Sequence, residues 1–325
     1  MPKPVLLIDG NNVITKAAFA IKESIMAGHP NKRPVGAVIS FLKTIRNIAQ
    51  EVDAADAFIA WDTQRSQYRQ NLLSTYKAHR DQSHPKLIEA RQQIPEAKRL
   101  CDMLGIRSIT HPLLEADDII AWLAYLQPPD YPIAILSNDG DLAQILAWRP
   151  NATLVSNDRR ITTPTFQDTF TVPPERYLEF KALQGDSSDN IPGIPKVGPV
   201  TAREAIRESP TVADLKKWIQ AKYEADKTRQ QKLKLPTVID SYLDIFHRNL
   251  DLMNLRTWEQ PQPCAPPINT WAQVTLATVT TNERKTAEFA DYCNYHGLPS
   301  IGKFCPEWVE AFPWLRRAPG QNYLI

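Results

Sequence analysis

The sequence predicts an α/β protein: a parallel central sheet with helices on both faces, plus a mainly α-helical C-terminal domain. Three observations carry the sheet. Continuous apolar runs at Val5–Ile8, Ala57–Trp61 and Ile133–Leu136 read as strands buried on both faces. Helical patterns at roughly Val35–Glu51, Ile94–Leu104 and Asp117–Leu126 alternate with them, as a parallel sheet requires. Each apolar run also ends at an acid: Asp9, then Asp62, then Asp139 with Asp141. Ligands of such sheets bind beyond the carboxyl ends of the strands. One acidic site assembled from distant strand ends is therefore expected.

The bulk properties agree. A chain of 325 residues with 43% hydrophobic and 23% charged residues suits two globular domains, divided here as 1–180 and 181–325. Cys101, Cys264, Cys293 and Cys305 show no C-x-x-C spacing, which fits a reducing cytoplasm rather than a disulfide framework. The Val5–Ile8 run is far too short for a signal peptide or a membrane span. A net charge of +2 points to no class of partner, because acidic and basic regions can cancel.

The stretch Glu115–Asp141 is the most informative. Glu115, Asp117 and Asp118 open one helix, Asp139 and Asp141 follow one strand, and no basic residue lies between them. Crowded carboxylates resist ionisation unless a positive charge sits among them. Hard oxygen donors suit Mg²⁺ or Mn²⁺. The bland alternative is a set of acidic helix caps and turn residues, adequate for any one of these acids but less so for five around one strand end.

Residues 65–99 change character, with eight basic residues against three acidic ones and Tyr68 and Tyr76 interleaved. A charge run is usually a solvated face. Here its position just after a site aspartate suits phosphate neutralisation with base stacking. Further on, Gly185-Asp186-Ser-Ser-Asp189 leads into a Gly/Pro-punctuated hairpin, Gly193–Thr201, and then into a helical pattern, Ala202–Glu208. A loop feeding a helix N-terminus can turn backbone N–H groups onto a phosphate without reading sequence; the alternative is an ordinary connector. Residues 211–250 read as helical, with a basic stretch around Lys227–Lys234, and Pro261–Pro267 as a break. A last helix runs from Ala287 to near Gly297, and Phe304, Trp308, Phe312 and Trp314 are expected to pack. The histidines show no zinc spacing.

Taken together, Leu7-Ile-Asp9-Gly10, Trp61-Asp62 with Tyr68-Arg69, Tyr76-Lys77-Ala-His-Arg80, Glu115-Ala-Asp117-Asp118, Ser137-Asn-Asp139-Gly-Asp141 and Gly185-Asp-Ser-Ser-Asp189-Asn-Ile resemble the 5′ nuclease (flap endonuclease and 5′→3′ exonuclease) family. The likeness runs in order from Asp9 to about Ala205. From Asn249 to Lys303 the chain more weakly resembles the phage RNase H type, and no polymerase domain follows, so a free-standing nuclease is expected.

The resemblance implies a PIN/5′-nuclease-like sheet domain with a basic arch at about 65–99, then a helical domain with a helix-hairpin (H3TH) DNA-binding motif. It implies two Mg²⁺ or Mn²⁺ ions, with Asp9, Asp62, Asp117 and Asp139 around the first and Glu115, Asp118, Asp141, Asp186 and Asp189 around the second. Lys77 and Arg80 match arch residues that contact the scissile phosphate, Arg69 matches a basic residue near the arch base, and Tyr76 is placed to stack a base. Gly193, Lys196, Gly198 and Thr201 would hold duplex backbone, with the potassium ion often found at that motif. Two departures stand out: Lys196 replaces a glycine, and Val200 stands where a lysine is common. Lys16 takes a usual arginine position, keeping the charge and losing the bidentate fork.

The expected reaction is two-metal hydrolysis of DNA, and of RNA in RNA–DNA duplexes, at 5′ ends or flaps during replication or repair. The expected protein is a cytoplasmic monomer with no membrane contact, and a sliding clamp or single-strand-binding protein is a candidate partner. Two rivals are a non-catalytic structure-specific DNA-binding protein and a PIN-type ribonuclease. Intact carboxylates oppose the first. The second leaves the hairpin and the basic segment without a purpose.

Overall fold

The computed structural model describes residues 2–21, 25–28, 32–80, 83–225, 235–260, 265–267, 269–279, 285–298, 301 and 305–316. The chain divides into two compact units: a sheet unit of 1–65, 81–162 and 267–325, and a helical unit of 66–80 and 163–266. Its helices include α1 (Gly10–Ala20), α2 (Gly36–Glu51), α3 (Gln67–Leu72), α4 (Pro85–Met103), α5 (Ala116–Leu126), α6 (Phe166–Phe170), α7 (Tyr177–Gln184), α8 (Pro199–Glu208) and α9 (Val212–Ala225).

In the sheet unit, the three apolar runs form the adjacent strands β1 (Val5–Asp9), β2 (Asp56–Trp61) and, after the short β3 (Arg107–Thr110), β4 (Ile133–Leu136). With β5 (Ala152–Val155) and β6 (Arg160–Thr162) they make a sheet of order β3-β2-β1-β4-β5-β6. Every pairing is parallel except β5 with β6. Side chains alternate across a strand, and both faces are covered. Leu6, Ile8, Ile59 and Trp61 join the core built by α1, α2 and α4, while α5 packs on the opposite face. The register sets Asp9 beside Ala60 and Ile8 beside Leu136, so the three acid-bearing ends finish level at one edge. Gly10 turns that corner because a Cβ there would come within 2.5 Å of the Trp61 ring.

The C-terminal segment also belongs to the sheet unit, whereas the division at 180 placed it with the helical half. Phe289, Trp308, Phe312 and Trp314 are buried in the same core as Leu6 and Ile8, and Trp314 Nε1 donates to the Leu104 carbonyl at 2.9 Å. The tail aromatics therefore pack as expected, apart from Phe304, which lies outside the described residues together with Lys227–Lys234, Gly302 and Lys303. The basic stretch 65–99, expected as one arch, is divided: 66–80 belongs to the helical unit, and α4 is a core helix of the sheet unit. Two cations of α4 serve that packing, Lys98 over the Trp61 ring and Arg99 over Tyr292.

In the helical unit, α7 packs on the helix Leu235–Met253, and α8 bridges α7 and α9. A two-residue ladder, β7 (Gly185–Asp186) against β8 (Ile191–Pro192), closes the hairpin start. The buried Asn249 amide pins it by donating to the carbonyls of Ala182 and Pro192, each at 2.9 Å. No helix among the described residues is long and apolar enough to cross a membrane.

Candidate active site

Three helical segments start at the carboxyl edge of the sheet, and each starts on an acid. Asp9 caps α1, accepting from Asn12 N at 3.0 Å. Glu115 caps α5 in a reciprocal box with Asp118, whose carboxylate accepts from Glu115 N at 3.1 Å. Asp139 caps the 3₁₀ turn Gly140–Ala147, accepting from Asp141 N at 2.9 Å. A helix N-terminus favours a carboxylate, so the bland alternative describes these three acids correctly, one at a time.

Capping does not explain their mutual proximity. Ser137 Oγ donates to Asp9 at 2.9 Å and accepts from Asp139 N at 3.0 Å, which couples the ends of β1 and β4. Asp62 accepts from Ala116 N at 2.7 Å, tying the end of β2 to the start of α5. Its own N–H donates to Asn11 at 3.0 Å, and Asn12 accepts from Asn138 N at 3.0 Å. Sequence reasoning assigned Asn11, Asn12, Ser137 and Asn138 no role, although they brace the acids. The available signal was a polar Asp-Gly-Asn-Asn string directly after a fully buried strand.

Electrostatics then separates a cap from a site. Burial pushes the Asp9 carboxyl up to about 7, and repulsion from Asp62 and Asp139 adds to the shift. Glu115 and Asp118 are buried, Asp117, Asp139 and Asp141 half-buried, and Asp62 exposed. Lys16 touches the margin of the cluster through Asn138 and stands 3.8 Å from Asp158. Among the described residues, no three Asp, Glu, His or Cys side chains are gathered into a ready-made metal cage. Mg²⁺ needs no such cage, because it keeps several waters and takes one or two carboxylates directly. An edge of hard oxygen donors, one of them with its pKa raised by burial and then by its acidic neighbours, fits that ion or Mn²⁺.

The two remaining acids lie in the helical unit, each beside a cation. Against the cost of burial, Lys181 at 2.6 Å and Ser188 hold the Asp186 carboxyl below the usual range. Asp189 pairs with Arg80 and with Lys77, whose Nζ stands 3.7 Å away. Its carbonyl accepts from Lys77 N at 2.8 Å. Lys77 adopts a left-handed φ of +55°, a conformation that a non-glycine residue holds only when its surroundings impose it. The two candidate catalytic cations are thus oriented by one candidate metal acid. Arg69 is a buried anchor, donating to the Leu252 carbonyl at 2.9 Å and lying over Tyr68. Tyr76, expected to stack a base, is 3% exposed and packs on Ile191, Leu252 and Met253, so in this structure its ring serves the core.

In the hairpin, Gly185 (φ +75°) and Gly193 approach so closely that a Cβ on either would overlap the other's backbone or its neighbours. Lys196 sits at φ +63°, the left-handed position where glycine is at ease, which accounts for the glycine in the family pattern. Gly198 opens α8 in extended backbone with open space around it, and Thr201 is half-buried in the first turn.

This geometry has known counterparts. Residues 4–171 match the 5′-3′ exonuclease N-terminal resolvase-like domain, and residues 172–256 the 5′-3′ exonuclease C-terminal SAM fold. A 5′-3′ exonuclease of Buchnera aphidicola from Schizaphis graminum is 31% identical over 202 residues, covering 62% of this chain and 68% of that protein. The thermostable DNA polymerase I of Thermus filiformis is 31% identical over 257 residues; the match spans 79% of this chain but only 29% of the polymerase. Among solved structures, the bacteriophage T5 flap endonuclease, in a pseudo-enzyme-product complex with DNA and metal ions, aligns with a TM-score of 0.62. Identity there is 21%, over 94% of this chain and 99% of the phage protein. A resolvase-like sheet with acids on one edge, joined to a SAM-fold helical unit, places this chain in the 5′-3′ exonuclease family.

Proposed function

We propose that this chain is a structure-selective 5′ nuclease that hydrolyses DNA phosphodiesters at a 5′ end or flap with the help of divalent metal. The observation that carries the reading is the meeting of acids from three strand ends at one edge, where Asp9 and Asp139 share Ser137 and Asp62 is tied to the start of α5. Burial, and then Asp62 and Asp139, raise the Asp9 carboxyl pKa, and a bound cation would relieve that arrangement. When bound, Mg²⁺ or Mn²⁺ supplies Lewis acidity and charge neutralisation at the scissile phosphate. Asp9, Asp62, Asp117 and Asp139 would hold one ion, and Glu115, Asp118 and Asp141 would serve a second. Asp186 and Asp189 complete the acidic set that the family pattern implies.

Lys77 and Arg80 would meet the charge that develops on the phosphate, where preformed cations act without reorganising. Their joint pairing with Asp189 supports this, since one carboxylate fixes both before substrate arrives. Recognition would rest on backbone shape through the Gly193–Thr201 hairpin rather than on base edges.

The test is cleavage of a 5′-labelled flap duplex with Mg²⁺, with EDTA, and with Asp139→Asn. Cutting near the junction that needs both metal and Asp139 is the expected result. Tight flap binding without any cut would instead favour a structural DNA-binding protein.

A further inference from the structure

In the turn that follows Asp186, the residue after Asp189 is Asn190, half-buried and left-handed at φ +57°. Asparagine tolerates that conformation better than most residues, so a plain turn former would account for its backbone. Its side chain makes a contact that a turn does not require. Asn190 Nδ2 donates to the Thr75 carbonyl at 2.8 Å, joining residues 115 apart in the sequence. That carbonyl also accepts from Ala78 N at 3.0 Å, so both of its lone pairs are used.

Three consecutive residues are docked on this turn, each by a different contact. Thr75 is held by the Asn190 amide, the Tyr76 ring packs on Ile191, and Lys77 N donates to the Asp189 carbonyl at 2.8 Å. Lys77 is itself left-handed. Two non-glycine residues in that sparse region therefore face each other through bonds at neighbouring positions, and such backbone persists only where its surroundings over-determine it. The consequence appears at the side chain. Lys77 is buried, and its Nζ stands 3.7 Å from the Asp189 carboxylate and 4.9 Å from the centre of the Tyr76 ring. Lysine carries its charge on a flexible four-carbon stem, so the aim of Nζ depends on where the backbone places the Cα. The turn Thr75–Ala78 sets that Cα, and the Asn190 amide holds the turn at its first carbonyl.

We propose that Asn190 is a positioning residue, whose amide fixes the turn Thr75–Ala78 and thereby aims Lys77 at the reacting phosphate. This deepens the nuclease reading, and it rests on that reading for the reaction that Lys77 serves.

The test pairs two substitutions with two readouts. Asn190→Gly leaves the left-handed backbone at ease and removes the amide; Asn190→Asp keeps the shape and sets an acceptor against an acceptor. In metal-free protein, amide hydrogen exchange at Lys77 and Ala78 should rise in both variants, with the sheet unit unchanged. Single-turnover cleavage of a saturating labelled flap with Mg²⁺ should slow roughly ten- to a hundredfold, the size expected when a reacting group is misplaced by about 1 Å, while duplex affinity in EDTA stays at the wild-type value. In a Lys77→Ala background, Asn190→Gly should cost no further rate, because the lost contact acts through that lysine. Wild-type exchange or a wild-type rate in Asn190→Gly would overturn the proposal and leave Asn190 a turn former. Equal rate losses with and without Lys77 would also overturn it, since a general structural role costs the same in both backgrounds. If the wild-type protein cuts no flap at all, the nuclease reading falls, and exchange at Lys77 still decides whether Asn190 holds the turn.

Discussion

At the scale of single residues, the sharpest feature is the carboxyl of Asp9. In the unfolded chain it ionises near the ordinary 3.8; in the folded protein burial, and then Asp62 and Asp139, push it up to about 7. Between those values the folded state holds a proton that the unfolded state has released. Stability therefore falls as pH rises through this window, and the full penalty, on the order of a few kcal/mol, is present above about 7. Thermal midpoints in EDTA should be lower at pH 7.5 than at pH 5, and Mn²⁺ or Mg²⁺ should raise the midpoint most at pH 7.5. Asp9→Asn, which cannot ionise there, should lose most of this pH difference. Equal pH slopes in wild type and variant would show that Asp9 is an unstrained cap. The acid itself was legible in the sequence, because an aspartate closes a run of four apolar residues. Its strain was not legible, since the strain depends on which strand ends become neighbours. Lys77 and Tyr76 teach the same lesson from the other side: one motif places a cation on Asp189 and a tyrosine in the core, and sequence spacing does not distinguish a ring that packs from one that binds.

At the scale of elements, the strands with strong apolar runs were readable and the weaker ones were not. β1, β2 and β4 are central and buried on both faces. The edge strand β3, Arg-Ser-Ile-Thr, buries only Ile109 and carries little signal against loop. α4 starts at Pro85, capped by His84, rather than near Ile94, and Pro95 lies inside it. An interior proline usually ends a helical pattern, but here the residues on both sides, Ala90 and Gln93 before it and Ala97 and Leu100 after it, are buried in one continuous face. The hairpin glycines were legible as turn formers, yet what they provide is a close passage of two backbones. A methyl group on Gly193 would overlap the Gln184 carbonyl and the Gly185 amide. Gly193→Ala should cost about 1–3 kcal/mol, and by displacing β8 from β7 it should lower duplex affinity in proportion. A variant with wild-type melting temperature and affinity would show that this passage can widen freely.

For the whole molecule, a net charge of +2 conceals a division of labour. The sheet unit carries seven candidate site acids, Asp9, Asp62, Glu115, Asp117, Asp118, Asp139 and Asp141, and the helical unit carries Lys77, Arg80 and Lys196 beside two further candidate acids, Asp186 and Asp189. Long-range steering of DNA by the total charge is therefore weak, and local fields decide. An unneutralised carboxylate edge would repel a phosphate brought to it, and cations of the helical unit would attract a phosphate backbone. Divalent metal should thus act on binding as well as on chemistry. At constant ionic strength, a divalent ion that neutralises the edge without supporting cleavage, such as Ca²⁺, should tighten flap-duplex binding by roughly tenfold, about 1.4 kcal/mol, over binding in EDTA. Asp139→Asn, with one charge fewer to neutralise, should bind better in EDTA than the wild type and gain less from the ion. Equal gains in both proteins would place the effect of the ion on the DNA rather than on this edge, and the acids would then contribute to chemistry alone.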